Sequence, residues 1–190
     1  MSTEENIEDM LDDKHGFKEE IEYAGIGHRL GAGLIDGLVM IPIFVLSYFN
    51  QFNIKSLVLL YVLTLISVLY KPLLEFKYGA TLGKMALGIT VVNLEMKRIT
   101  LDQSFLRYMP WAISVIIQLM LGTILYQSPS FASADTYLDI QTITQDSPLN
   151  MVSLVYSIIF FIAILWLVFD KKNQGLHDKI AKTYCIKTPK

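Results

Sequence analysis

The sequence predicts an all-α integral membrane helical bundle: four transmembrane helices with a small cytoplasmic β-hairpin or three-stranded sheet. Three observations predict it. Of 190 residues, 53% are apolar and only 18% charged, with a mean hydropathy of +0.43; globular domains average roughly 45 to 50% apolar and 25% charged. The charge is segregated into the first 29 residues, a block from Lys71 to Arg107 and the last 21 residues. Between these blocks lie apolar runs of about 20 residues, the length a hydrocarbon layer about 30 Å thick requires of a helix.

The chain opens on an acidic stretch. Residues 1–22 hold nine Asp and Glu against Lys14 and Lys18, too much like charge and too little apolar surface to fold, so residues 1–24 read as a disordered arm. The membrane domain is then 25–190. Residues 1–27 lack a basic segment leading into an apolar one, so no cleavable signal peptide is expected.

The four spans are Leu30–Phe49, Ser56–Phe76, Met109–Tyr126 and Asn150–Phe169. Asp36 lies inside the first and costs about 2.5 to 3.5 kcal/mol there, while the span's Leu, Ile, Val and Phe return about 0.3 to 0.6 kcal/mol each. The span therefore inserts. Lys71 and Glu75 near the end of the second are four residues apart, which lets them meet on one helix face.

Orientation follows from Lys and Arg. Lys14, Lys18 and Arg29 precede the first span, six basic residues run from Lys71 to Arg107, and six follow the fourth span. On the other side there is only Lys55. This bias places both termini and the middle segment in the cytoplasm and the loop Gln127–Ser147 outside. That loop, with Asp135, Asp139 and Asp146, reads as solvated polypeptide rather than a cation site.

In the middle segment, Ile89–Val92 and Arg98–Leu101 are β-favouring runs around Asn93–Lys97, the pattern of a hairpin. Asp102 is expected to cap a turn of amphipathic helix over Gln103–Tyr108, with Phe105 and Leu106 on the membrane surface. Thr183–Lys187 would add a third strand.

Composition and motif exclude several chemistries. No nucleic-acid signature is present, and one cysteine, Cys185, with three scattered His offers neither a disulfide nor a metal site. The segment from Gly79 to Met85 imitates a phosphate loop but is one residue short and has Met where magnesium needs a hydroxyl. No span contains His, Cys or paired carboxylates, so no enzyme and no cofactor are expected.

An ionisable side chain within a span is a candidate functional group. Asp36 follows Arg29 by two helical turns, about 10 Å along the axis. Gly27, Gly31, Gly33 and Gly37 give small-residue spacings that admit another backbone. Two readings of Asp36 stand open: a titrating or cation-binding group, or a satisfied polar group that helps the bundle pack. His177 reads as an interfacial histidine rather than a proton shuttle.

The residues resemble those of the RDD family of small, mostly bacterial membrane proteins, named for one arginine and two aspartates. His28-Arg29-Leu30 and Asp36 match the arginine and first aspartate. Thr81-Leu82-Gly83-Lys84, leading into Ala86–Val92, matches the family's Thr-x-Gly-Lys motif. Gly175-Leu176-His177-Asp178-Lys179 matches the stretch holding the second aspartate, Asp178. The acidic arm, the long outer loop and Lys182 depart from the pattern.

The resemblance implies a multi-pass protein of the bacterial inner membrane with a transport role, cation/proton exchange being the activity proposed for members. Asp36 would then bind a proton or small cation, and four helices per chain favour a homo-oligomer. The alternative is a non-enzymatic membrane scaffold or regulatory subunit. Topology places Arg29 and Asp178 on one face, so Arg29 is expected to pair with Asp178 rather than with the deeper Asp36.

Overall fold

The first apolar run is bent. In the structure, a computed structural model that describes residues 21–188, it forms α1 (Ile26–Val39) and α2 (Ile41–Phe49), whose combined path turns by 49°. Pro42, in the first turn of α2, accounts for the bend. It has no N–H to donate, and its ring excludes a straight continuation over the carbonyl four residues earlier. A π-helical turn, Asn50–Ile54, ends this run, and Lys55 closes it with φ 53°.

The other spans are continuous: α3 (Leu57–Tyr78), α5 (Leu101–Gln127) and α7 (Pro148–Phe169). All three are long and apolar enough to cross a membrane, and the bent pair adds a fourth when it is counted as one span. Val58, Leu65, Ile116 and Phe161 on these helices are exposed, as apolar side chains facing lipid would be. The termini are well defined. Ser56 caps α3 by accepting from Leu59 N–H, and Gly79 at φ +75° closes it by donating to the Glu75 carbonyl; a left-handed residue there is where glycine has no steric penalty.

Between α3 and α5 the chain forms a short helix, α4 (Leu82–Ala86), and a strand, β1 (Ile89–Asn93). After α7 come α8 (Leu176–Ile180) and β2 (Thr183–Lys187). Strands β1 and β2 pair antiparallel with Val91 opposite Cys185. The sheet therefore has two strands, and the expected hairpin is corrected: Arg98 makes a single bridge to Val92, and Leu101 is already the first residue of α5. The cause is local. Asn93 Oδ1 accepts from the N–H groups of Glu95 and Lys97 and tightens the turn. Thr100 and Gln103 then exchange side-chain and backbone bonds as a capping box, starting the helix. Asp102 lies in the first turn and is not the cap. The amphipathic turn runs on into the third span as one helix.

The outer edge of β2 is covered by residues assigned to the acidic arm. Ala24 N–H donates to the Cys185 carbonyl, Lys187 N–H to the Glu22 carbonyl, and Tyr23 bridges Ile186. Residues 1–20 of the arm lie outside the described residues. Ala24, Ala32, Ile89, Val91, Ile99 and Cys185 form a buried apolar cluster, binding the sheet to α1.

At the opposite end the expected solvated loop is structured. Pro129–Ser133 forms a 3-10 turn, and α6 (Tyr137–Thr144) follows with its own capping box between Thr136 and Asp139. Phe131, Ala134 and Ile140 pack on Leu125. Asp139 is thereby used as a cap, Asp135 lies 3.8 Å from Lys55, and no metal-binding cluster occurs among the described residues.

A candidate charge cluster where the helices meet the sheet

Two carboxylates organise this end of the bundle. Asp178, on the single turn of α8, is fully buried. Its Oδ2 receives Arg29 Nη1 at 2.5 Å and the Gly175 N–H at 3.0 Å, and its Oδ1 receives Arg107 Nη1 at 2.5 Å. Arg29 also donates to the carbonyls of Ala24 and Asn173. The guanidinium from the start of α1 thus ties the chain before that helix to the turn before α8.

Glu75, near the end of α3, is the second buried carboxylate. Lys84 of α4 meets Oε1 at 2.5 Å and Arg107 Nε meets Oε2 at 2.9 Å. Arg107 is the hub. It is buried in α5 and reaches both carboxylates, the Thr183 hydroxyl at 2.5 Å and Cys185 Sγ at 3.4 Å. One guanidinium therefore joins α3, α5, α8 and β2, using the planar fork that lets Arg hold several acceptors at once. No buried side-chain nitrogen or oxygen among the described residues lacks a partner.

The electrostatics fit these contacts. Burial opposes ionisation of Asp178, but Arg107, His177 and Arg29 outweigh it and hold the carboxyl well below its usual range. Burial drives the neighbouring His177 imidazole down from 6.5 to about 4, against the pull of Asp178. His177 is neutral at pH 7, with Nε2 3.2 Å from Asp178 Oδ1 and its ring edge-on to Trp111.

Asp36 sits apart from this cluster. Among the described residues it forms no ion pair. Its Oδ1 accepts the Tyr70 hydroxyl at 2.8 Å and the Gly83 N–H at 2.7 Å, and its Oδ2 accepts the Thr81 hydroxyl at 2.6 Å. The carboxylate thus caps α4 from a neighbouring helix. A Cβ on Gly83 would fall onto the Ala32 carbonyl oxygen and within 2.9 Å of the Asp36 backbone nitrogen. Only glycine permits this approach.

The segment Thr81-Leu82-Gly83-Lys84 now has a physical account. Thr81 caps α4 and donates to Asp36, Gly83 lets α4 lie against α1, and Lys84 extends to Glu75. Gly31 meets Leu87, whereas Gly27, Gly33 and Gly37 face open space in this chain. The close helix approach uses Ala32 and Gly83 instead.

The sequence reading singled out Arg29, Asp36 and Asp178, and the structure joins the first and last while leaving Asp36 separate. It overlooked Arg107, which entered only as a charge to count, and gave Lys84 no partner. A basic residue three positions before Pro110, leading into an apolar run, was the available signal for Arg107. Lys71 and Glu75 share a helix, but Glu75 turns to Lys84 and Arg107, while Lys71 lies over the Trp111 ring.

No curated protein matches the chain. The sequence model of the RDD family matches residues 23–182, a stretch that contains Arg29, Asp36, the segment from Thr81 to Lys84, and Asp178. With the geometry of those residues in view, the chain belongs to the RDD family, whose domain it carries over nearly all of the described residues.

Proposed function

We propose that this chain is a non-enzymatic membrane scaffold or regulatory subunit, whose buried charges lock the spans to the sheet. One observation carries the reading: every carboxylate oxygen of Asp36, Glu75 and Asp178 already accepts from a fixed donor. A transported cation needs oxygen ligands it can win, and here it would have to displace hydrogen bonds that hold α4 and α8 in place. The Lys and Arg distribution supports a location in the cell membrane with both termini cytoplasmic.

Cation/proton exchange is the second reading, and a specific observation favours it. Asp36 is only half-buried and lies in α1, just before the break between α1 and α2, and interrupted helices are where secondary transporters build their sites. In that reading the open faces of Gly27, Gly33 and Gly37 would meet a second copy. Purified protein in proteoliposomes under imposed Na⁺, Li⁺ or K⁺ gradients separates the two. The scaffold reading expects no cation-coupled proton movement. Movement that Asp36→Asn abolishes, with the fold intact, would replace it with the exchanger.

A further inference from the structure

The cluster contains more positive charge than it uses. Four cations, Arg29, Lys71, Lys84 and Arg107, face two carboxylates, Glu75 and Asp178. Both oxygens of each carboxylate are engaged by the other three cations. His177, the remaining titratable neighbour, is neutral. Lys71 is therefore surplus: among the described residues it makes no ion pair, and its Nζ stands 3.5 Å from the centre of the Trp111 ring.

Trp111 is under-used in the same way. Its ring packs against Tyr108, Phe160 and His177, but its indole N–H has no acceptor among the described residues. Lys71 and Trp111 are each partly exposed. Two donors side by side, one of them cationic, call for an anion with several oxygen acceptors.

Their depth says where that anion comes from. Lys71 is seven residues before the end of α3, about 10 Å inside it at 1.5 Å per residue. A lysine two turns inside a span can extend its side chain to the headgroup level, where Trp and Lys side chains gather. Leu73 on α3 and Met109 and Ile113 on α5, in the same turns of these helices, are exposed apolar side chains. We propose that Lys71 and Trp111 form a binding site for the phosphodiester headgroup of an anionic phospholipid, seated between α3 and α5 at the sheet end of the bundle. The headgroup neutralises the surplus cation, and its chains cover the neighbouring apolar surface.

The chain has two tryptophans, so Trp166→Phe leaves Trp111 as the sole indole reporter. The full chain carrying that change is reconstituted in vesicles of equimolar phosphatidylcholine and phosphatidylglycerol, with brominated chains on one lipid or the other. Without a site the two lipids quench Trp111 equally. The site expects brominated phosphatidylglycerol to associate with it about five-fold more strongly, the effect of one basic residue near an anionic surface. Lys71→Met, with the helical circular dichroism of the parent, abolishes that preference, and Lys71→Arg keeps it. Equal quenching in the full chain overturns the proposal, and so does a preference that survives Lys71→Met. A preference removed by soluble inorganic phosphate would assign the donors to a free anion and overturn the lipid assignment.

Discussion

Asp178 and Asp36 are two carboxylates withdrawn from water in opposite ways. Asp178 has two guanidinium groups against it and is fully buried. Asp36 is met by a phenol, a hydroxyl and a backbone amide, all neutral, and is half-buried. The difference teaches what each can tolerate. A carboxylate paired with cations is tied to its charge, because neutralising it strands the guanidinium groups in a poorly solvated place. A carboxylate held by neutral donors is tied to its shape, and an isosteric amide reproduces most of it.

The sharpest break is expected from Asp178→Asn. Arg29 and Arg107 would both lose a charged acceptor, and losing one partner of a buried pair costs about 3 to 5 kcal/mol. Thermal unfolding in detergent should show a fall large enough to reduce the yield of folded protein; a midpoint equal to the parent's would refute the role given to Asp178.

Acid should act in the same place. His177 titrates at about 4 in the folded protein and near 6.5 when exposed, so the unfolded chain binds the extra proton between these values and stability falls as pH drops from 6.5 to 4. The loss approaches about 3 kcal/mol, at 1.36 kcal/mol per pKa unit. Asp178 is held below its usual range, so its contribution, present above about 4, is lost only at still lower pH. His177→Gln should remove the upper window and leave the lower; an unchanged profile would disprove the assignment.

Asp36→Asn should cost less, about 1 to 2 kcal/mol. The amide oxygen can keep Tyr70 and Gly83, while the Thr81 hydroxyl turns to accept. If this variant unfolds as readily as Asp178→Asn, the contrast between the two carboxylates fails. Smallest is Tyr70→Phe, which removes one donor of three and should lower stability by about 1 kcal/mol or less, read as a small shift in the same unfolding curve.

How far the sequence reached depends on the range of the interaction. The spans were legible because length and apolarity are properties of single segments, although Leu30–Phe49 reads as one span and the structure breaks it before Pro42. The cap of α5 was not: the expectation falls on Asp102, whereas Thr100 and Gln103 form the capping box two residues earlier. Strand partners were not: Arg98–Leu101 carries as much β pattern as Thr183–Lys187, but the capping box at Thr100 turns the former into a helix start, while Thr183, Tyr184 and Cys185 are buried in the latter. Arg107 and Glu75 are 32 residues apart on different helices, so no local spacing announces them. Arg29 and Asp178 could be matched because both stand at the same end of the bundle.

The separation of that last pair has a consequence for biosynthesis. Asp178 follows Arg29 by 149 residues, and Arg107 lies between them. During insertion both guanidinium groups leave the ribosome before the carboxylate that joins them has been made, and until then the early spans carry uncompensated charge at their ends. Closure of the cluster is therefore a late event that reports on all the spans at once. A nascent chain with a misplaced helix cannot bring Asp178 to its arginines, which leaves exposed, unmatched cations as a mark by which quality control could recognise it.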